Sequence, residues 1–227
     1  MRTETKRRLG STAGALAGVF VAIGVAHAPF ARPLLMRLGG CPMAGAKMTP
    51  RESEAARHMA LAATRGGAPA PARPALGFAL DSTTSVEVHA WAKRSGVDCD
   101  DVRAGLIRCA HVPAVALALP AGEPAVGELA LEFDGGDRLV NLTAVRNHMT
   151  ASDAAATAHA VVSGLASQLG PARVGAGDFG AERMSADGAF SISTVAYRYG
   201  DYVADVTAMN APSGGPSVRE HYMSARD

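Results

Sequence analysis

The chain has 227 residues, of which 48% are hydrophobic and 19% charged, so it can bury a core and is not a disordered tail. A net charge of +1 and an aromatic content of 5% exclude a dedicated nucleic-acid binder, which needs a basic face or a set of stacking rings. This length accommodates one sizeable domain or two small ones.

Arg2, Lys6, Arg7 and Arg8 open the chain as a basic n-region, and residues 9–31 follow without a single Lys, Arg, Asp or Glu. As a helix at about 1.5 Å per residue this run reaches about 34 Å, enough to cross a bilayer core of about 30 Å. Residues 1–31 therefore read as a signal or transmembrane anchor, the export pattern. Three fates are open: cleavage after Ala26-His27-Ala28, lipidation of Cys41 in Leu38-Gly39-Gly40-Cys41, or retention as a single-pass anchor. The flanking charges are nearly balanced, with Arg32, Arg37, Lys47 and Arg51 after the run, so charge alone does not orient it.

The cysteines place the bulk of the chain outside the cytoplasm. Cys99 and Cys109 lie ten apart, and a disulfide between them fits an oxidising periplasm. The third cysteine, Cys41, is then the lipidation candidate. The expected location is the cell envelope, as a single-pass inner-membrane protein with a periplasmic domain, or as a lipoprotein or secreted protein.

Residues 32–75 read as a stalk. Thr49, Pro50 and Glu52 mark a helix start, with the helix running to about residue 64 and stopping at Gly66-Gly67. Residues 68–74 alternate Ala, Pro and Arg and read as an extended linker. The globular part begins at 76 with a short strand over 76–80. Thr84 and Glu87 form a capping box for a helix that ends at Gly96. Extended chain is expected near 107–109 and 115–119, and a hairpin over 128–146 turns at Gly135-Gly136. Thr150 and Asp153 open a second helix, stopped by Gly170-Pro171. A second hairpin follows over 189–209, turning at Gly200-Asp201.

The return strands of the two hairpins, 136–145 and 200–209, share Gly, Asp, Thr and Ala at the same four positions. The expected fold class is thus α+β: an N-terminal transmembrane or signal helix, then two similar modules, 76–147 and 148–227. Each would be a helix packed on its own antiparallel meander. On Asp81-Ser-Thr-Thr-Ser-Val-Glu-Val-His-Ala-Trp91 and the strands after it, the chain resembles the small outer-membrane assembly lipoproteins of the SmpA/OmlA type. It is similar also to the tandem-repeat β-lactamase inhibitory proteins. The resemblance is one of topology over about residues 76–210, and it carries no functional residue across.

No nucleotide-binding, zinc-protease or nucleophile-elbow motif is present in the sequence, so no catalytic residue, metal ligand or cofactor is assigned. Asp98, Asp100 and Asp101 read as a solvated turn. Tyr197, Arg198, Tyr199 and Tyr202 gather at the second hairpin tip. They are either a cross-strand cluster covering the core or a patch for an envelope protein partner, since Tyr and Arg are favoured at contact centres. The leading expectation is a non-catalytic interaction or scaffold domain, held to the membrane by its N-terminal helix and binding no nucleic acid. One alternative is a periplasmic enzyme built around His111 and the Cys99–Cys109 loop. The other is an envelope metal binder using Cys41, Met43, Met48, His58 and Met59.

Overall fold

The computed structural model describes residues 64–120, 122–176, 178–185 and 190–226, with Glu52, Ala55, Met59, Leu61 and Ala62 of a helical stretch before them. The anchor expected over 1–31, the lipidation candidate Cys41, and Met43, Met48 and His58 lie outside the described residues.

The first helix, α1 (Ser85–Ser95), begins as its sequence dictates. The Thr84 side chain accepts from the Glu87 amide, the Glu87 carboxylate accepts from the Thr84 amide, and Gly96 closes the helix in the left-handed conformation. Strands β1 (Asp98–Arg103), β2 (Leu106–Val112), β3 (Val126–Phe133) and β4 (Leu139–Arg146) follow as an antiparallel meander. A 3-10 turn, Ala114–Leu117, stands where extended chain was expected. Helix α2 (Ala151–Leu169) carries the Thr150 cap and buries a stripe of Ala154, Ala158, Leu165 and Leu169. Then come β5 (Val174–Ala176), the short α3 (Ala181–Ser185), β6 (Ser191–Arg198), β7 (Tyr202–Ala211) and β8 (Gly215–Ser224).

All eight strands form one antiparallel sheet in the order β1-β2-β3-β4-β8-β7-β6-β5. The expectation of two modules with separate meanders is therefore overturned, and the described part is mainly β. The joint is β8, a strand the sequence pattern did not reveal, which pairs with β4 on one side and β7 on the other. The apparent repeat was out of step by one strand. It matched β4 with β7, whereas in the sheet the strand that holds the place corresponding to β4 is β8.

Alternation then sorts the side chains. Leu129, Leu131, Leu142, Ala144, Ala204, Val206 and Val218 are buried on the face that carries the helices. Helix α1 packs against β1, and α2 against β7 and β8. Cys99 and Cys109 are register partners on β1 and β2 and form a disulfide, with Cys109 wholly buried. The aspartates around Cys99, expected as a turn, are strand residues.

The segment expected as a linker is bonded to the sheet. The Gly66 amide donates to the Tyr199 carbonyl, the Gly200 amide to that of Ala68, and the Ala70 amide to Asp201 Oδ1 at 2.8 Å. A β-carbon on Gly66 would lie 2.3 Å from the Arg198 carbonyl oxygen, so the close approach requires glycine there. Residues 76–80 form turns rather than a strand, with positive φ at Leu76 and Gly77. Before them, Leu61 is buried against Val203, Met223 and Ala225.

Candidate functional site

The hairpin tyrosines are core residues. Tyr197, Tyr199 and Tyr202 are 0%, 5% and 0% exposed, so the partner patch built on them is corrected. Each ring reaches across the core and its hydroxyl donates to a backbone carbonyl: Tyr197 to Val162, Tyr199 to Leu169, and Tyr202 to Pro74. The Leu169 carbonyl belongs to the last turn of α2, where helix carbonyls lack internal partners, so Tyr199 supplies one. Burial raises the Tyr197 and Tyr202 pKa values above the usual phenol range, so both stay protonated donors. Arg198 points to the other face and pairs with Asp205 at 2.6 Å.

That other face holds a polar chain running across the sheet. Arg103 donates to Glu132, Asn141 Nδ2 donates to Glu132, and Asn141 Oδ1 meets His221 Nε2 at 2.8 Å. His221 also lies 3.5 Å from Asp205. Burial alone would raise the Asp205 pKa, but hydrogen bonds with His221 and Arg198, together with their charges, hold it below the usual carboxylate value.

The helix face carries a more unusual cluster, at the middle of the sheet. Arg146 on β4 and Glu220 on β8 are each 1% exposed and form an ion pair. Arg146 Nε also donates to the Pro124 carbonyl at 3.3 Å, and the Tyr222 hydroxyl donates to the second Glu220 oxygen. Register explains the fit: Glu220 lies opposite Ala144 and Tyr222 opposite Ala204, so small side chains make room for large ones. Burial lowers the Arg146 pKa, and Glu123 and Tyr222 oppose that shift. Arginine nevertheless stays charged in proteins.

This cluster lies at the floor of a cleft of about 550 Å³. One wall is α2, through Ala160, Val161, Gly164 and Leu165. The other is made of residues 73–79 and the stretch 117–120. Trp91 holds both parts of that second wall. Its indole N–H donates to the Ala116 carbonyl at 3.0 Å, and the Phe78 ring packs edge-on at 5.0 Å. Glu123 lines the same cleft, half-buried, and its Oε2 is buried without a hydrogen-bond partner.

The other sequence candidates do not converge. His111 is exposed at the end of β2 with a positive φ, while Cys109 of the nearby disulfide is buried in the core and Cys99 is half-buried against it. Met59 is 72% exposed. Sequence reasoning missed Arg146, Glu220, Tyr222 and Glu123. Their trace in the sequence is a charged residue within an apolar alternation, in Val218-x-Glu220-x-Tyr222 and in Leu142-x-Ala144-x-Arg146. No protein-family model, no curated protein and no solved structure matches this chain.

Proposed function

We propose that this chain is an envelope-tethered, exported binding domain with no catalytic role, facing the periplasm and holding a small molecule in the cleft between α2 and residues 73–79. One observation carries the reading: a buried, hydrogen-bonded Arg146–Glu220–Tyr222 cluster underlies an open, largely apolar cleft. Buried ion pairs are costly to desolvate, and apolar residues of equal volume often serve stability as well or better. A few convergent polar groups beneath apolar walls are instead the usual composition of a ligand pocket, and the volume falls in the usual range. The Cys99–Cys109 disulfide supports the oxidising compartment.

The test is native mass spectrometry of the full chain, purified without denaturation from its own cells. The wild type should carry a small molecule that Gly164→Trp lacks. Gly164 suits the blocking substitution because a β-carbon there meets no atom within 4 Å. Replacing a mid-helix glycine also favours the helix. Identical ligand content in the two proteins, or none in either, would count against the cleft as a binding site.

A further inference from the structure

Two arginines and two glutamates line the cleft, Arg73, Arg146, Glu123 and Glu220, but they do not all pair off with one another. Arg73 is engaged by Asp81 at 2.7 Å through a terminal nitrogen, its Nε being buried without a hydrogen-bond partner, and Arg146 is engaged by Glu220. Glu123 is left over. Among the described residues no Arg, Lys or His reaches it within ion-pair distance, and its buried Oε2 receives no hydrogen bond. Arg146 is near enough to interact electrostatically with it, but that guanidinium is held on the floor by Glu220 and the Pro124 carbonyl. A carboxylate with one buried, unpaired oxygen is unfavourable by itself. The complement that satisfies it is a cationic donor.

Position strengthens the case. Glu123 also lines a second hollow, of about 520 Å³, which runs past Asn147, His148 and Asp153, and the two hollows share Ala160 as well. Glu123 therefore stands at the polar end of the main cleft, where its apolar walls give way to polar ones. Phe78, Leu117, Val161 and Leu165 line the apolar part. A ligand with a charged head at Glu123 and a flat or aliphatic body along these residues matches both ends.

We infer that the cleft takes a small amphipathic amine, its protonated nitrogen donating to Glu123 and its apolar body lying between α2 and the Phe78–Leu117 wall. The inference rests on the cleft being the binding site, and adds the sign of the ligand's charge and the residue that reads it.

Three probes with one indole body and different heads test it: tryptamine, cationic; tryptophol, neutral; and indole-3-propionate, anionic. Binding to the full chain is measured by calorimetry for wild type, Glu123→Gln and Gly164→Trp. Tryptamine should bind at least about tenfold more tightly than the other two, the margin a charge-assisted hydrogen bond provides. Glu123→Gln should remove that margin and leave tryptophol unchanged. Tryptophol thus reports that the variant is folded, since a misfolded cleft loses both. Gly164→Trp should weaken all three. Equal or tighter binding of the anion or the alcohol overturns the amine assignment and leaves the cleft standing as a site, as does tryptamine binding that ignores Glu123→Gln. Binding of all three probes untouched by Gly164→Trp, or no saturable binding by any, overturns the site together with the inference.

Discussion

Removing Glu220 alone should be among the most damaging single changes available to this fold. Glu220→Ala takes away the ion-pair partner of Arg146 and the acceptor of the Tyr222 hydroxyl, at a place where both ionic side chains are 1% exposed. The guanidinium keeps only the Pro124 carbonyl. An uncompensated buried charge of this kind costs about 3–5 kcal/mol. Deleting both charges is different: Arg146→Met with Glu220→Leu leaves neither member of the pair to solvate and keeps volume in the core, so the double variant should be more stable than Glu220→Ala. The assay is equilibrium urea unfolding of the full chain with the disulfide intact, followed by the fluorescence of Trp91, the single tryptophan. With a slope near 2 kcal/mol per molar urea, a loss of about 4 kcal/mol moves the midpoint down by about 2 M. A loss below about 1 kcal/mol, or a double variant as unstable as the single one, would refute the view that the seam holds a desolvated ion pair.

Further expectations concern other parts of the molecule. Reducing the Cys99–Cys109 disulfide, or replacing both cysteines by serine, should cost about 2–3 kcal/mol, given the ten-residue separation. In cells quenched with acid and alkylated, neither thiol should be modified before reduction, whereas immediate labelling of both would place the domain in a reducing compartment. The pKa of Asp205 is lowered in the folded state, so its contribution is present above the unfolded carboxylate value of about 3.9 and is lost as pH falls through the folded value. Asp205→Asn should accordingly flatten the acid limb of the stability profile below that pH, and an unchanged limb in urea titrations would contradict the network. Gly66→Ala should detach the 66–70 segment, because the new β-carbon meets the Arg198 carbonyl at 2.3 Å. Amide exchange at Ala70, whose N–H is held by Asp201, should then accelerate by more than exchange in β3, and equal protection would refute the docking.

The parts of this fold that could be read from the sequence are those with local chemistry. The Thr84–Glu87 box, the Thr150 cap and the two hairpins carry their signals within a few residues. The cysteine pair was legible because both thiols sit on adjacent strands close in sequence. What failed was non-local. Strand β8 reads as polar, because Arg219 and His221 alternate with a buried Glu220 and only the register with β4 and β7 reveals why. Residues 66–75 have the composition of a linker, yet their backbone amides and carbonyls are bonded to the β6–β7 turn. The tyrosines were located correctly at the hairpin, but the helix and the segment that cover them come from elsewhere in the chain. The cleft was illegible for the same reason. Arg146 and Glu220 are 74 positions apart and meet only when the sheet closes between β4 and β8.

The most direct measurement of the binding claim is hydrogen–deuterium exchange of the full chain, with and without a small-molecule extract of its own cell envelope. If the cleft is the site, protection should increase over 73–79, 117–124 and 160–168, and should leave the β1–β2 hairpin unchanged. Protection confined to the opposite, polar face of the sheet, or no change anywhere, would contradict the account.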